Sequence, residues 1–275
     1  MNYRHLYHAG NFADVFKHTI LVALIHSFLK KETGFCYLDT HAGAGSYDLF
    51  SKEAQINKEF DGGIAKLFQE KNPPTFINDY LNCIKKMNSE SLRYYPGSPL
   101  IVQNFLREND QMILTELQPK EYRALKKIFL NDIKVQVHSR DGYEGLNAFL
   151  PPKTRRGLIL IDPPYEKPNE LNDLIVPLSN TVKRFETGVY AIWYPIKDRP
   201  PIERFKRAVK AAIERPLLIV ELSLYPETTA FQLNGCGMII VNPPWQLDQQ
   251  LQEMLPWLWK VLSIHQQGQY QIKLL

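Results

Sequence analysis

Hydrophobic positions along the chain fall into two rhythms. Short continuous apolar runs, each closed by a polar, glycine or proline position, predict strands over residues 35–39, 112–116, 135–138, 158–162, 189–194, 217–222 and 238–242. Between them apolar residues recur every three or four positions and predict helices over 13–30, 121–131, 169–187, 202–215 and 247–261. Runs that are apolar throughout belong to strands buried on both faces, and strands alternating with helices give a mostly parallel sheet. The expected fold is therefore α/β, doubly wound, with seven strands and helices on both faces. Right-handed crossovers bring the C-terminal ends of parallel strands to one edge, where ligands bind at the switch point.

One spacing breaks the rhythm. More than 60 residues separate the turn at Gly43 and Gly45 from the strand at 112. A helix with its turns needs about 20, because a whole βαβ unit takes ~30. The surplus, about 46–95, contains GGIAKLFQE and FINDYLNCIKKM and reads as a small helical insertion that rejoins the core at YYPGSPLI. The chain is thus expected to be one domain over 1–275, with an N-terminal arm and helix over 1–31.

Composition narrows the class. The 275 residues carry 33 Lys+Arg against 29 Asp+Glu, and 44% are hydrophobic, which excludes disorder and low-complexity scaffolds. Three separated cysteines make neither a disulfide framework nor a metal cage, so a reducing compartment and no metal are expected. The N-terminus is too polar for a signal peptide, and the apolar runs fall short of the ~20 residues of a membrane span. Those features point to a cytoplasmic protein, expected to be a monomer. The positive excess is local: residues 197–215 hold seven Lys/Arg and three Asp/Glu. A helix bearing Arg204, Lys206, Arg207 and Lys210 suits a nucleic-acid backbone, and a solvated helix face equally well.

The strand ends carry candidate chemistry. The first strand runs into LDTHAGAGSY, where Gly43 and Gly45 let a ligand approach the backbone and leave N–H groups to bind it. A tight turn without a ligand uses the same two glycines. The second strand ends at Glu116, the position from which Rossmann-like folds bond ribose hydroxyls, and the third is followed by Asp141 and Gly142. Each acid alone reads as a loop cap; three successive strand ends read better as one ligand site. The fourth strand ends in Asp162-Pro163-Pro164-Tyr165. Two prolines fix the backbone, so the Asp162 carboxylate and the Pro163 carbonyl form a rigid acceptor pair beside the Tyr165 ring. Two acceptors and a stacking face match the exocyclic amine of a flipped base.

YRHLYHAGNFADVFKH, LDTHAGAGSY, YPGSPLI, TELQP, RDGYEGL and IDPPYE, in this order, resemble the bacterial large-subunit ribosomal RNA adenine-N6 methyltransferase J family over nearly the whole chain. The resemblance implies a Rossmann-like class I fold, S-adenosylmethionine as cofactor, and methyl transfer to N6 of a specific adenine in 23S ribosomal RNA, protein-free or in an early assembly intermediate. It implies that Asp162 is catalytic, with Pro163 and Tyr165. Lys17, His18, His41, Gly43 and Ser98 would hold the cofactor, Glu116 its ribose, and Asp141 with Gly142 its adenine. Tyr3 and Arg4 would meet the RNA. Taken alone, His5, His8 and His18 read as surface or capping histidines.

Asn242-Pro243-Pro244-Trp245 repeats the acceptor pattern. In a class I topology the last strand runs antiparallel, so this motif falls on the far edge and reads as a turn. The competing functions are methylation of DNA adenine, methylation of protein glutamine (disfavoured by Asp at the first motif position), and non-catalytic nucleic-acid binding in the uptake and catabolism of external DNA, a label that members of this family have also carried. No P-loop and no GxSxG elbow occurs.

Overall fold

A computed structural model describes residues 4–167, 169–226, 233–263 and 266–275. Among them ten strands form: β1 (Cys36–Asp39), β2 (Ser46–Asp48), β3 (Tyr94–Pro96), β4 (Gln111–Thr115), β5 (Val135–His138), β6 (Gly157–Ile161), β7 (Val189–Ile196), β8 (Leu217–Ser223), β9 (Gly235–Val241) and β10 (Gln269–Leu274). Eight of them make one sheet in the order β10-β8-β9-β7-β6-β1-β4-β5. The five strands from β7 to β5 are mutually parallel, and β9 runs antiparallel to both β7 and β8. This is the Rossmann-like arrangement, with one strand more than the seven expected. The addition is β10, an edge strand antiparallel to β8. Its sequence, QYQIKL, is mostly solvent-exposed and lacks the apolar run that marks the buried strands.

Alternate residues of each central strand feed opposite cores. Tyr37, Met112, Leu114, Leu158 and Leu160 join the helices Phe12–Leu29, Thr75–Lys85, Ser98–Gln103 and Leu247–Leu262 on one face. Leu38, Ile113, Ile159 and Ile161 join Gly142–Phe149, Ile175–Arg184 and Arg199–Ala212 on the other. The helix expected over 169–187 is two pieces, Glu170–Asp173 and Ile175–Arg184.

The helix Phe12–Leu29 is apolar nearly all round, the mark of a helix buried on every side. By length and composition it would cross a membrane, contrary to the expectation from the apolar runs; in the fold it is a core helix, most of it buried. Thr75–Lys85, Ser98–Gln103, Leu247–Leu262 and β9 cover it. Asn11 caps it, its side chain accepting from the Asp14 N–H at 3.0 Å.

Residues between β2 and β3 form the helices Lys52–Asn57, Ile64–Phe68 and Thr75–Lys85. The two strands pair as a short antiparallel ribbon, Ser46 opposite Pro96, with Gly97 N–H donating to the Gly45 carbonyl at 2.8 Å. Both ends of this excursion therefore meet at the glycine turn after β1.

Candidate active site

The sheet register sets one edge level. Asp39 lies beside Leu114 of β4 and Leu160 of β6, and Thr115 lies beside His138 of β5. The loops carrying Asp141, Glu116, Gly43 and Asp162 therefore leave four adjacent strands at the same height.

The glycine turn is shaped by contact. Gly43 has φ +63°, and a side chain there would meet the Tyr47 hydroxyl at 2.2 Å. Its N–H donates to Glu116 Oε2 at 2.8 Å, while Glu116 Oε1 accepts from the Gln118 N–H at 2.7 Å. Burial still raises the Glu116 carboxyl above its usual range against those two bonds. Gly142 approaches the loop after β1 so closely that a Cβ would lie 2.3 Å from the Thr40 carbonyl. Asp141 caps the helix Gly142–Phe149, accepting from the Tyr143 and Glu144 N–H groups. The His41 ring stands edge-on to Tyr143, its Nδ1 paired with the Thr40 hydroxyl at 2.8 Å, and burial pushes its pKa down to about 4.

Asp39 is the hub that sequence reasoning left without a role. Fully buried, it accepts from the Ser98 hydroxyl at 2.6 Å, the Tyr37 hydroxyl at 2.8 Å and the His41 N–H at 3.2 Å. Its signal was available: a carboxylate closing an otherwise apolar strand needs partners. Burial raises its pKa, with Ser98 and Tyr37 opposing.

Asp162 follows β6 directly, with Oδ2 2.5 Å from Lys17 Nζ. Lys17 is also 2.9 Å from Asp14, one turn earlier on its helix. Burial alone would lower Lys17, but the two carboxylates hold its ammonium well above the usual lysine range. Tyr165 takes a left-handed backbone (φ +51°), donates its hydroxyl to the Trp193 carbonyl, and sets its ring 5.9 Å from that of Trp193. His18 is buried, pairs through Nδ1 with the Tyr95 hydroxyl at 2.7 Å, and is kept neutral by burial and by Lys17. Its Nε2 is buried without a partner.

Other sequence candidates fall elsewhere. Tyr3 lies outside the described residues. Arg4 is exposed, 3.9 Å from Glu53 on the insertion. Asn242 follows the reversed β9 on the opposite edge, donating to the Glu186 and Gly188 carbonyls, and Trp245 is 83% exposed. In the basic helix Arg199–Ala212, Lys206 pairs with the buried Glu221 at 3.0 Å and Arg199 with the same carboxylate at 2.5 Å. Those two cations are structural; Arg204, Arg207 and Lys210 stay exposed.

A five-strand parallel set followed by a reversed strand, with a glycine turn after the first strand and an acid after the second, defines the class I methyltransferase fold. A profile described as "Ribosomal RNA large subunit methyltransferase D, RlmJ" matches residues 32–275, and the chain belongs to that family. It is 45% identical over 259 residues to "Ribosomal RNA large subunit methyltransferase J" of Escherichia coli K12, covering 94% of this chain and 92% of that one. The protein of the same name from Haemophilus influenzae Rd is 41% identical over 275 residues, covering 99% and 98%. A crystal structure of a Legionella pneumophila protein superposes with a TM-score of 0.90 at 37% identity, covering 97% of this chain and 98% of that one.

Proposed function

We propose that the chain transfers a methyl group from S-adenosylmethionine to N6 of an adenine in 23S ribosomal RNA, in the cytoplasm. The observation that carries this reading is the Asp162-Pro163-Pro164-Tyr165 loop, set at the end of β6 with its carboxylate held by Lys17. Large-subunit RNA as substrate rests on the names of the two curated relatives.

The residues present fit the cofactor. The orphan His18 Nε2 is a buried polar atom in want of a partner, on a ring that bonds Tyr95 and next to Lys17 in the chain. Lys17, His18, His41 and Ser98 would hold its methionine end, the Gly43 turn and Glu116 its ribose, and Asp141 with Gly142 its adenine. Asp162 borders both ligands. S-adenosylmethionine supplies an electrophilic methyl on a sulfonium.

The adenine amine is a poor nucleophile because its lone pair is delocalised into the ring. Asp162 and the Pro163 carbonyl accept its two N–H bonds and so favour the localised lone pair needed for attack. Once the methyl group has been supplied, the Asp162 carboxylate, already an acceptor for the amine, would take up the surplus N6 proton. Tyr165, braced on the Trp193 carbonyl, offers a rigid aromatic wall for the base, so orientation supplies much of the remaining rate.

Labelled methyl transfer to protein-free large-subunit RNA, small-subunit RNA and duplex DNA, with nucleoside analysis of the product, tests this. N6-methyladenine in large-subunit RNA alone is expected. Label in DNA, or on another atom, refutes the reading.

A further inference from the structure

A line of four polar side chains, with Asp14 and Lys17 buried at its middle, joins the N-terminal segment to the proposed acceptor. His5 Nε2 lies 2.8 Å from Asp14 Oδ2, Asp14 Oδ1 lies 2.9 Å from Lys17 Nζ, and Lys17 Nζ lies 2.5 Å from Asp162 Oδ2. Asp14 is 2% exposed. Its carboxylate also accepts the Gly10 N–H at 2.9 Å, and its own N–H is held by Asn11. Burial would push the Asp14 carboxyl up, yet His5 and Lys17 keep it well below the usual carboxylate range.

Such a carboxylate needs a reason, because a buried charge costs more than an apolar side chain of the same size unless it is well paired. A lysine on four methylenes with one partner is free to swing. Here the ammonium is pinned between two carboxylates on different elements, and Asp14 is fixed by a cap and a backbone donor. The Lys17 contact is made by Oδ2 of Asp162, and a carboxylate has further lone pairs with which to accept an amine. Two anchors on one cation fix the Asp162 carboxylate without saturating it.

We propose that Asp14 is the positioning residue for the Asp162 acceptor, and that through His5 it ties the seating of the N-terminal segment to the acceptor's orientation. The inference rests on the reading of Asp162 as the amine acceptor. Asp14 touches neither RNA nor methyl group; it acts through Lys17. Removing it lets the ammonium collapse onto Asp162 and disconnects the segment from the site.

The test is single-turnover and steady-state methylation of protein-free 23S RNA by Asp14→Asn, which keeps the shape and an acceptor oxygen but removes the charge. The turnover rate should fall about a hundredfold, the size expected when a catalytic group is misplaced by an ångström. The loss should fall mainly on turnover, with smaller changes in RNA KM and in calorimetric cofactor affinity, because Asp14 reaches Lys17 and the N-terminal segment but neither ligand. His5→Ala should lower turnover too, and the double variant should be no worse than Asp14→Asn alone within about twofold. Asp14→Glu, which keeps the charge and shifts the carboxylate by one methylene, should lose turnover at an unchanged melting temperature. Wild-type turnover in Asp14→Asn, or loss of turnover, KM and melting temperature together in both Asp14 variants, overturns the positioning role. Independent, multiplying effects of His5 and Asp14 overturn the link to the segment. Asp162→Ala runs in parallel: wild-type turnover there would defeat the acceptor reading itself, a result distinct from any outcome at Asp14.

Discussion

Two loops of this chain share one short pattern, an amide or acid followed by two prolines and an aromatic ring, and they differ in edge, partners and exposure. Asp162-Pro163-Pro164-Tyr165 leaves a strand of the parallel set; its carboxylate meets a buried ammonium and its ring is tied down on β7. Asn242-Pro243-Pro244-Trp245 leaves the reversed β9 at the opposite edge; its amide bonds two backbone carbonyls and its indole stands in solvent. Proline pairs supply rigidity wherever they occur. Strand direction decides whether that rigidity faces a ligand.

The sharpest way to break this contrast is to truncate both motifs. Asp162→Ala should cut turnover by about a hundred- to a thousandfold, the range for removing one preorganised partner of the charge that develops in the transition state. Cofactor affinity by calorimetry should change little; its loss would turn Asp162 into a binding residue. Glu116→Ala sharpens the contrast within the active edge. It should weaken cofactor binding by about 1–3 kcal/mol, the scale of a lost charge-assisted hydrogen bond, and unchanged affinity would remove the ribose role.

Acid distinguishes the edges by stability. His41 titrates near pH 4 in the fold, against 6.5 for a free imidazole. The unfolded chain therefore binds the extra proton first, so this stability is complete above pH 6.5 and is lost as pH falls towards 4. Melting temperatures across that window should drop for the wild type and drop less for His41→Asn; parallel curves would refute the assignment. The smallest effect on activity belongs to Asn242→Ala. It removes two donors to backbone carbonyls at a residue with φ +54°, so it should cost about 1–3 kcal/mol of stability. Methyl transfer per folded molecule should stay at the wild-type rate, and a loss like that of Asp162→Ala would erase the distinction between the loops.

What was legible in the sequence follows from burial. Strands with both faces covered announce themselves as apolar runs, so β1, β4 and β6 to β9 were readable; β5, an edge strand reading VQVH, showed only through its two valines. The edge strand β10 was not, because one neighbour and an open face leave it a polar pattern. Nor was the break near Leu174, which falls inside a continuous helical period. At the site, Glu116 and Asp162 declared themselves at strand ends. Asp14 looked like an ordinary first-turn acid, since it bonds His5 from a preceding turn and reaches Asp162, after a distant strand, only through Lys17. Contacts that cross between elements leave no period to read.

The helix Phe12–Leu29 carries a consequence for the order of synthesis. It is made well before the helix Leu247–Leu262 that covers part of it. Until then a long apolar flank has no permanent lid, and it is long enough to pass for a membrane segment. In chains of this length, surface exposed in that way makes folding intermediates prone to aggregate. A product cut short before residue 247 displays a flank that the finished chain hides, and exposed apolar surface is what proteolytic triage acts on. The helix Leu247–Leu262 thus acts as the clasp over that flank.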